Sequence, residues 1–221
     1  MELLFHHIFV FCPPGGSEAD NLVSAGFAEG SRNSHPGQGT TNRRFFFSNG
    51  MLEFLWVENQ DEILSPLTRP TYLSERSQYR KTGFSPFGIG TYGQSEVANP
   101  PFPGWPYKPN YLPSDLVIWV ADNGRFPDEP MLFYGSFFRA HSASPGREPK
   151  DHPNSVKGLS RIIVQLADKG RPGSSALDIF RKIDLLEFRE GDQPLATLEF
   201  DGTVKNQELD LRPSLPLVLK Y

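Results

Sequence analysis

Residues 41–57 read TNRRFFFSNGMLEFLWV. Two runs of strand-forming residues flank Asn49-Gly50, a dipeptide suited to a tight hairpin turn, so the segment predicts two antiparallel strands. A two-residue turn at Asn49-Gly50 would pair Ser48 with Met51, Phe46 with Glu53 and Arg44 with Leu55. Because side chains alternate along a strand, one face then carries Arg44, Phe46, Ser48, Met51, Glu53 and Leu55. A carboxylate among Phe46, Met51 and Leu55 is costly to bury unless it meets a metal, a cation, a proton or water. Two readings of Glu53 follow: a diagonal cross-strand ion pair with Arg44, or a ligand that with a histidine on a neighbouring strand holds a divalent ion.

Upstream, residues 3–12 (LLFHHIFVFC) predict a first strand, which Pro13-Pro14-Gly15-Gly16 ends. Alternation puts His7, Phe9 and Phe11 on one face and His6, Ile8 and Val10 on the other, so one histidine faces each side. Ser17-Glu18-Ala19-Asp20 resembles an acidic capping box opening a short helix, and a brief strand is expected over 27–31. The order strand, helix, strand, strand, strand is a βαβββ unit. Downstream, a helix is expected over 72–80, strands over 87–92, 116–121 and 131–138, and an ordered loop over 100–113, where Phe102, Trp105 and Tyr107 pack on the body or line a cleft. The polar segment 141–157 reads as a lid or a surface connection. A strand at 159–166, a helix at 176–183 and strands near 185–189, 196–200 and 215–219 repeat the βαβββ layout.

Composition narrows the classes. The chain has 221 residues, enough for one fair-sized domain or two half-domains sharing a core. Its 38% hydrophobic content, with 18 Phe, supports a packed core, and 21 Pro with 20 Gly favour short strands and turns over long helices. With a net charge of −4 and scattered basic residues, no nucleic-acid-binding face is expected. The single cysteine, Cys12, sits in an apolar run and reads as a small buried hydrophobe. The apolar start is short and lacks a positive leading region, so no signal peptide is expected. No run reaches the length of a membrane span, and a cytoplasmic location is the expectation. His35-Pro36-Gly37-Gln38-Gly39 lacks the Lys-Ser/Thr of a phosphate loop and is read as shaping a cleft rim.

The stretch His6 to Val10 resembles the first strand of the vicinal-oxygen-chelate superfamily, and MLEFLWV (51–57) resembles its fourth. The run HPGQGTTNRRFFF (35–47), with Ser85-Pro86-Phe87-Gly88, is similar to the glyoxalase-like domain proteins of that superfamily. The resemblance covers residues 3–92. It implies an α+β fold in which paired βαβββ modules form a curved mixed sheet around a cleft. On that pattern the chain is a single glyoxalase-like domain, with an N-terminal module at 3–92, an aromatic and Pro-rich insertion at 93–158 and a C-terminal half at 159–221.

The resemblance also implies a site. His7 and Glu53 map onto two metal positions, Glu199 is a carboxylate for a third, and His152 is a residue that folds over the cleft. Arg44 would orient an anionic group, with Asn42 and His35 near the rim and Phe9, Phe46, Trp56 and Trp105 enclosing a small molecule. Arg43 is expected to face solvent. The first functional expectation is a metal-dependent lyase, isomerase or dioxygenase acting on a small oxygenated molecule. The second is a metal-free binding protein, like the drug-sequestering members of the superfamily, and the third an interaction role. The partner expected is a small molecule, with the chain a monomer or a homodimer.

Overall fold

The structure is a computed structural model that describes residues 2–93, 99–141, 148–167, 170 and 172–221. Residues 142–147 of the expected lid segment lie outside these. The chain forms two mixed sheets. The first has eight strands: β1 (Leu3–Phe11), β2 (Asn33–His35), β3 (Thr40–Phe47), β4 (Gly50–Val57), β5 (Phe87–Gly93), β6 (Gly104–Tyr107), β7 (Ile118–Ala121) and β8 (Met131–Gly135). Their spatial order is β2-β3-β4-β1-β5-β8-β7-β6, and the sheet curls into a half-barrel. The helices are short: α1 (Ala19–Ser24), α2 (Gln60–Ile63), α3 (Leu73–Ser77) and α4 (Tyr79–Thr82). Glu18 precedes α1 without a side-chain cap, so the expected capping box does not form. Residues 27–31 are not a strand; the pairing falls instead to β2.

The hairpin forms with a register two residues away from the expected one. Phe47 faces Gly50, Phe46 faces Met51, Arg44 faces Glu53 and Asn42 faces Leu55. Ser48-Asn49 makes the turn, and neither residue nor Gly50 has a positive φ. Two contacts explain the shift. Asn49 accepts from the Leu159 N–H at 2.9 Å and donates to the Leu159 carbonyl at 2.8 Å, which pins the turn to a later segment. Gly50 belongs in the strand because a Cβ there would lie 2.6 Å from Phe5 and 2.8 Å from Leu159. A slip of two preserves pleat parity, so Glu53 and Arg44 still share a face.

The eight-stranded sheet has two halves of one layout. In the first, β1 pairs parallel with β4, β4 antiparallel with β3, and β3 antiparallel with β2. In the second, β5 pairs parallel with β8, β8 antiparallel with β7, and β7 antiparallel with β6. The halves join antiparallel through β1 and β5, with Ile8 opposite Ile89. Thus the second half of the curved sheet comes from 87–135, not from 159–221. The expected aromatic loop contributes β6, whose Pro106 sits on the outer strand, where its missing N–H costs no ladder bond.

Residues beyond 158 form a separate five-stranded sheet: β9 (Leu159–Leu166), β10 (Leu186–Glu190), β11 (Leu195–Phe200), β12 (Glu208–Asp210) and β13 (Leu217–Lys220), with α5 (Ser175–Phe180) between β9 and β10. Its order is β10-β9-β11-β13-β12. The main core is continuous between the sheets, drawing Ile8, Val10, Phe45 and Phe54 from the large one and Ile162, Val164, Leu198 and Leu219 from the small one. Phe47 and Phe200 meet across it with ring centroids 4.7 Å apart. A second apolar cluster, including Phe9, Leu55, Tyr107, Ile118 and Phe133, lies on the other face of the large sheet.

Candidate functional site

The second cluster surrounds a cavity of about 230 Å³ reached by His7, Phe9, Asn42, Met51, Glu53 and Phe133, among others. Alternation accounts for most of this lining. His7 and Phe9 of β1, and Met51, Glu53 and Leu55 of β4, point here, while Ile8, Val10, Leu52 and Phe54 enter the main core. His6 breaks the alternation. The pairing of β1 with β5 shifts between Phe5 and His7, a bulge that turns His6 to the same side as His7. Both histidines therefore line the cavity, against the expectation of one per face, and their Nδ1 atoms lie 2.7 Å apart. His6 stacks on Phe138 at 4.4 Å, and His141 Nε2 lies 2.9 Å from the His6 carbonyl, to which it donates.

Glu53 is the buried carboxylate of this cluster, 5% exposed. Asn42 Nδ2 donates to its Oε1 at 2.5 Å, and its Oε2 stands 3.8 Å from His7 Nε2. The orientation of Asn42 is fixed, because its Oδ1 accepts the backbone N–H of Asn33 at 2.8 Å. Burial pushes the Glu53 carboxyl up, opposed by the Asn42 hydrogen bond and by Arg44. Burial also pushes His7 down to about 3, with His141, His35 and Arg44 adding to the shift. The separation is too long for a hydrogen bond, and burial disfavours the charged form of each group.

Arg44 does not pair with Glu53. It lines the cavity but donates from Nε to the Ser31 carbonyl at 2.7 Å and lies 3.6 Å from Glu148. His35 lines the cavity, with Nδ1 2.9 Å from the Thr40 hydroxyl. Phe46 lines an adjoining hollow with His6, Arg44 and His141. The others lie elsewhere. Trp56 is on the opposite face of β4, where its indole donates to Glu58 at 3.1 Å. Trp105 borders a separate hollow with Tyr72 and Asp122. His152 is a strut: Nδ1 accepts from Ala28 N–H at 2.9 Å, so Nε2 donates to the Phe46 carbonyl at 3.1 Å. Arg43 is buried, not solvent-facing, and grips Glu29 and Asp20 at 2.5 to 2.8 Å.

The implied metal set does not assemble. Glu199 belongs to the small sheet, where it lies 3.7 Å from Arg161. Rotating one half of the large sheet onto the other about the Ile8–Ile89 pair places Gly88 where His7 stands and Phe133 where Glu53 stands. The same operation relates Met51 to Met131, both of which line the cavity. Glycine and phenylalanine offer no side-chain donor to a metal. Among the described residues no three of His, Cys, Asp and Glu gather in a way that suits a metal ion.

Gln38 lies in the run expected to shape a cleft rim and Tyr107 in the aromatic run expected to pack or line a cleft, whereas sequence reasoning missed His6, Tyr111, Phe133 and Phe138. Gln38 Oε1 accepts from the Tyr107 and Tyr111 hydroxyls at 3.2 and 3.4 Å, which closes one side of the cavity. The pattern Tyr107-x-x-x-Tyr111 within the aromatic run was the available signal.

No protein-family model and no curated protein matches the chain. Among solved structures it is similar to a hypothetical protein from Staphylococcus aureus, with 10% identity, 99% coverage of each chain and a TM-score of 0.57. At that identity the likeness is one of fold. No helix among the described residues is long and apolar enough to cross a membrane.

Proposed function

We propose that the protein binds a small, largely apolar molecule in the cavity on the face of the eight-stranded sheet turned away from the main core, without a metal. The observation that carries this reading is the burial of a polar pair, His7 and Glu53, among aromatic and aliphatic side chains around a space of about 230 Å³. An apolar cavity of about 150 Å³ is enough to hold benzene, so this space suits a molecule of about one ring and is small for a drug-sized ligand. The replacement of half the implied metal donors by Gly88 and Phe133 favours this reading over metal-assisted catalysis. The metal-dependent lyase, isomerase or dioxygenase reading rests on the sequence resemblance alone.

The test is ligand-observed NMR with a panel of one-ring compounds on the wild type and on Leu112→Trp. Leu112 lines the cavity from a loop and is only partly buried, so the larger ring fills the space without disturbing a strand. Binding in the wild type, weakened at least about tenfold in the variant, is the expected result. A wild type that binds no compound of this size, or binding that Leu112→Trp leaves unchanged, overturns the proposal. So does near-stoichiometric metal in the purified protein that is lost in both His7→Ala and Glu53→Ala.

A further inference from the structure

We infer that the ligand of this cavity carries an uncharged hydroxyl on a single ring, and that the hydroxyl sits between Glu53 Oε2 and His7 Nε2. The inference rests on the reading of the cavity as a small-molecule site and specifies its ligand. It follows from a chain of hydrogen bonds that begins at a backbone group. Asn33 N–H can only donate, so the Asn42 atom that meets it is the amide oxygen, and the Asn42 atom that meets Glu53 is the amide nitrogen. Glu53 Oε1 is therefore an acceptor. When Glu53 carries a proton, as its burial favours, the proton rests on Oε2, the oxygen nearer His7.

His7 constrains the other side. Its Nδ1 lies 2.7 Å from His6 Nδ1, so one of these two nitrogens carries a proton and the other accepts it. If His7 donates from Nδ1, its Nε2 is a bare acceptor; if His6 donates, a neutral His7 carries its proton on Nε2. The 3.8 Å between Nε2 and Oε2 is too long for a direct hydrogen bond and leaves both groups available to a third atom. A hydroxyl satisfies either arrangement. It accepts from Glu53 Oε2–H in both, and it donates to a bare His7 Nε2 or accepts from a protonated one. A ketone oxygen fits only the second arrangement, and an aliphatic amine, more basic than the carboxyl, would take the Glu53 proton and leave a buried charge pair. Phe9, Met51, Leu55 and Phe133 provide the apolar surroundings for the ring.

The bulge at His6 is what makes this possible. In regular alternation His6 would enter the main core, and His7 Nδ1 would lose the neighbour that holds it. A carboxylate ligand is a poor match. It would place a charge beside a carboxyl whose charged form burial already disfavours, and the nearby cation, Arg44, is engaged by Ser31 and Glu148.

The experiment is isothermal titration of phenol, toluene and benzoate into the wild type, Glu53→Gln, Glu53→Leu and His7→Leu. Toluene has the shape of phenol without the hydroxyl, so its binding reports an intact cavity in each variant. In the wild type phenol should bind about tenfold more tightly than toluene, the order expected for a hydroxyl with buried partners. Glu53→Gln keeps a donor in place of Oε2–H and should retain the preference, whereas Glu53→Leu and His7→Leu should reduce it to less than about threefold. If phenol and toluene bind the wild type equally, the inference fails while the small-molecule reading stands. Benzoate binding more tightly than phenol also overturns it. If none of the three binds, the reading of the cavity itself fails.

Discussion

Three times the chain spells Leu-Glu-Phe: at 52–54 in β4, 186–188 in β10 and 198–200 in β11. In every case the Leu and the Phe enter the core between the sheets, and the Glu takes the opposite face. The outcomes for the carboxylates differ. Glu53 is buried against a cavity, and burial pushes its carboxyl up. Glu187 lies on a solvated face, where the Arg189 hydrogen bond, with Arg161 nearby, holds it down. The sheets also share a pairing scheme: β4-β1-β5-β8-β7 and β10-β9-β11-β13-β12 both run parallel, antiparallel, parallel, antiparallel. A tripeptide and a topology therefore do not make a site. The site arises where the second face is covered, by the β6 strand, the loop holding Tyr111 and Leu112, and Phe137 and Phe138.

The cover depends on space taken by first-half rings over second-half glycines. A Cβ on Gly88 would stand 2.0 Å from Phe9 Cε1, and one on Gly90 2.6 Å from His7 Cε1. Gly88→Val should therefore show the largest effect on the large sheet, a loss of about 3 kcal/mol from overpacking, read from urea unfolding. On the small sheet, Thr197 of β11 occupies a partly exposed position facing β9. Thr197→Val should change stability by less than about 0.5 kcal/mol. Equal losses in the two variants would mean that the ring-over-glycine packing does not distinguish the sheets.

Acid sharpens the contrast. All five histidines have pKa values lowered from 6.5 by burial, His35 to about 4 and His7 to about 3. A histidine lowered in the folded state contributes stability that is full above its unfolded value of about 6.5. That contribution is lost as pH falls toward the folded values. Glu53 has the opposite sign: its raised carboxyl contributes stability below the unfolded value, and this is lost as pH rises through the folded one. The midpoint of thermal unfolding should fall by about 5 °C or more from pH 7 to pH 4.5. Glu53→Gln removes the opposing contribution, so its stability relative to wild type should be more favourable at pH 7 than at pH 4.5. A flat profile would break the argument that the covered face holds its groups uncharged.

Much of this was legible in the sequence, and the misses have physical causes. The Phe-rich hairpin with its central Glu disclosed β3, β4 and the face that Glu53 takes, because alternation survives a two-residue slip. The slip itself was hidden, since Asn49 is fixed by Leu159, more than a hundred residues away, and Gly50 by Phe5 and Leu159. His6 was assigned to the wrong face because a bulge is set by the strand pairing and leaves no local mark. Strands at β5, β7 and β8 were expected, but the second half of the large sheet was placed at 159–221 because β6 runs through a Pro-rich stretch that reads as loop, and the βαβββ layout is more regular after residue 158. Glu199 and His152 were drawn toward the site by the family resemblance, yet one faces Arg161 on the small sheet and the other braces the main core.

The smallest expected effect tests the other arm of the comparison. Arg161 lies 3.1 Å from Glu187 and 3.7 Å from Glu199, a short row of charges across β10, β9 and β11. These side chains keep substantial contact with water, so their attraction is screened and offset by the entropy of holding long side chains in place. Glu187→Ala and Glu199→Ala should each leave the urea unfolding midpoint close to that of the wild type, with any difference shrinking at 1 M salt. Such values would leave the small sheet as a support whose outer face is interchangeable. A clear drop of the midpoint in either variant, persisting at 1 M salt, would instead indicate that this face is covered in solution, which would make the two sheets more alike than their exposure suggests.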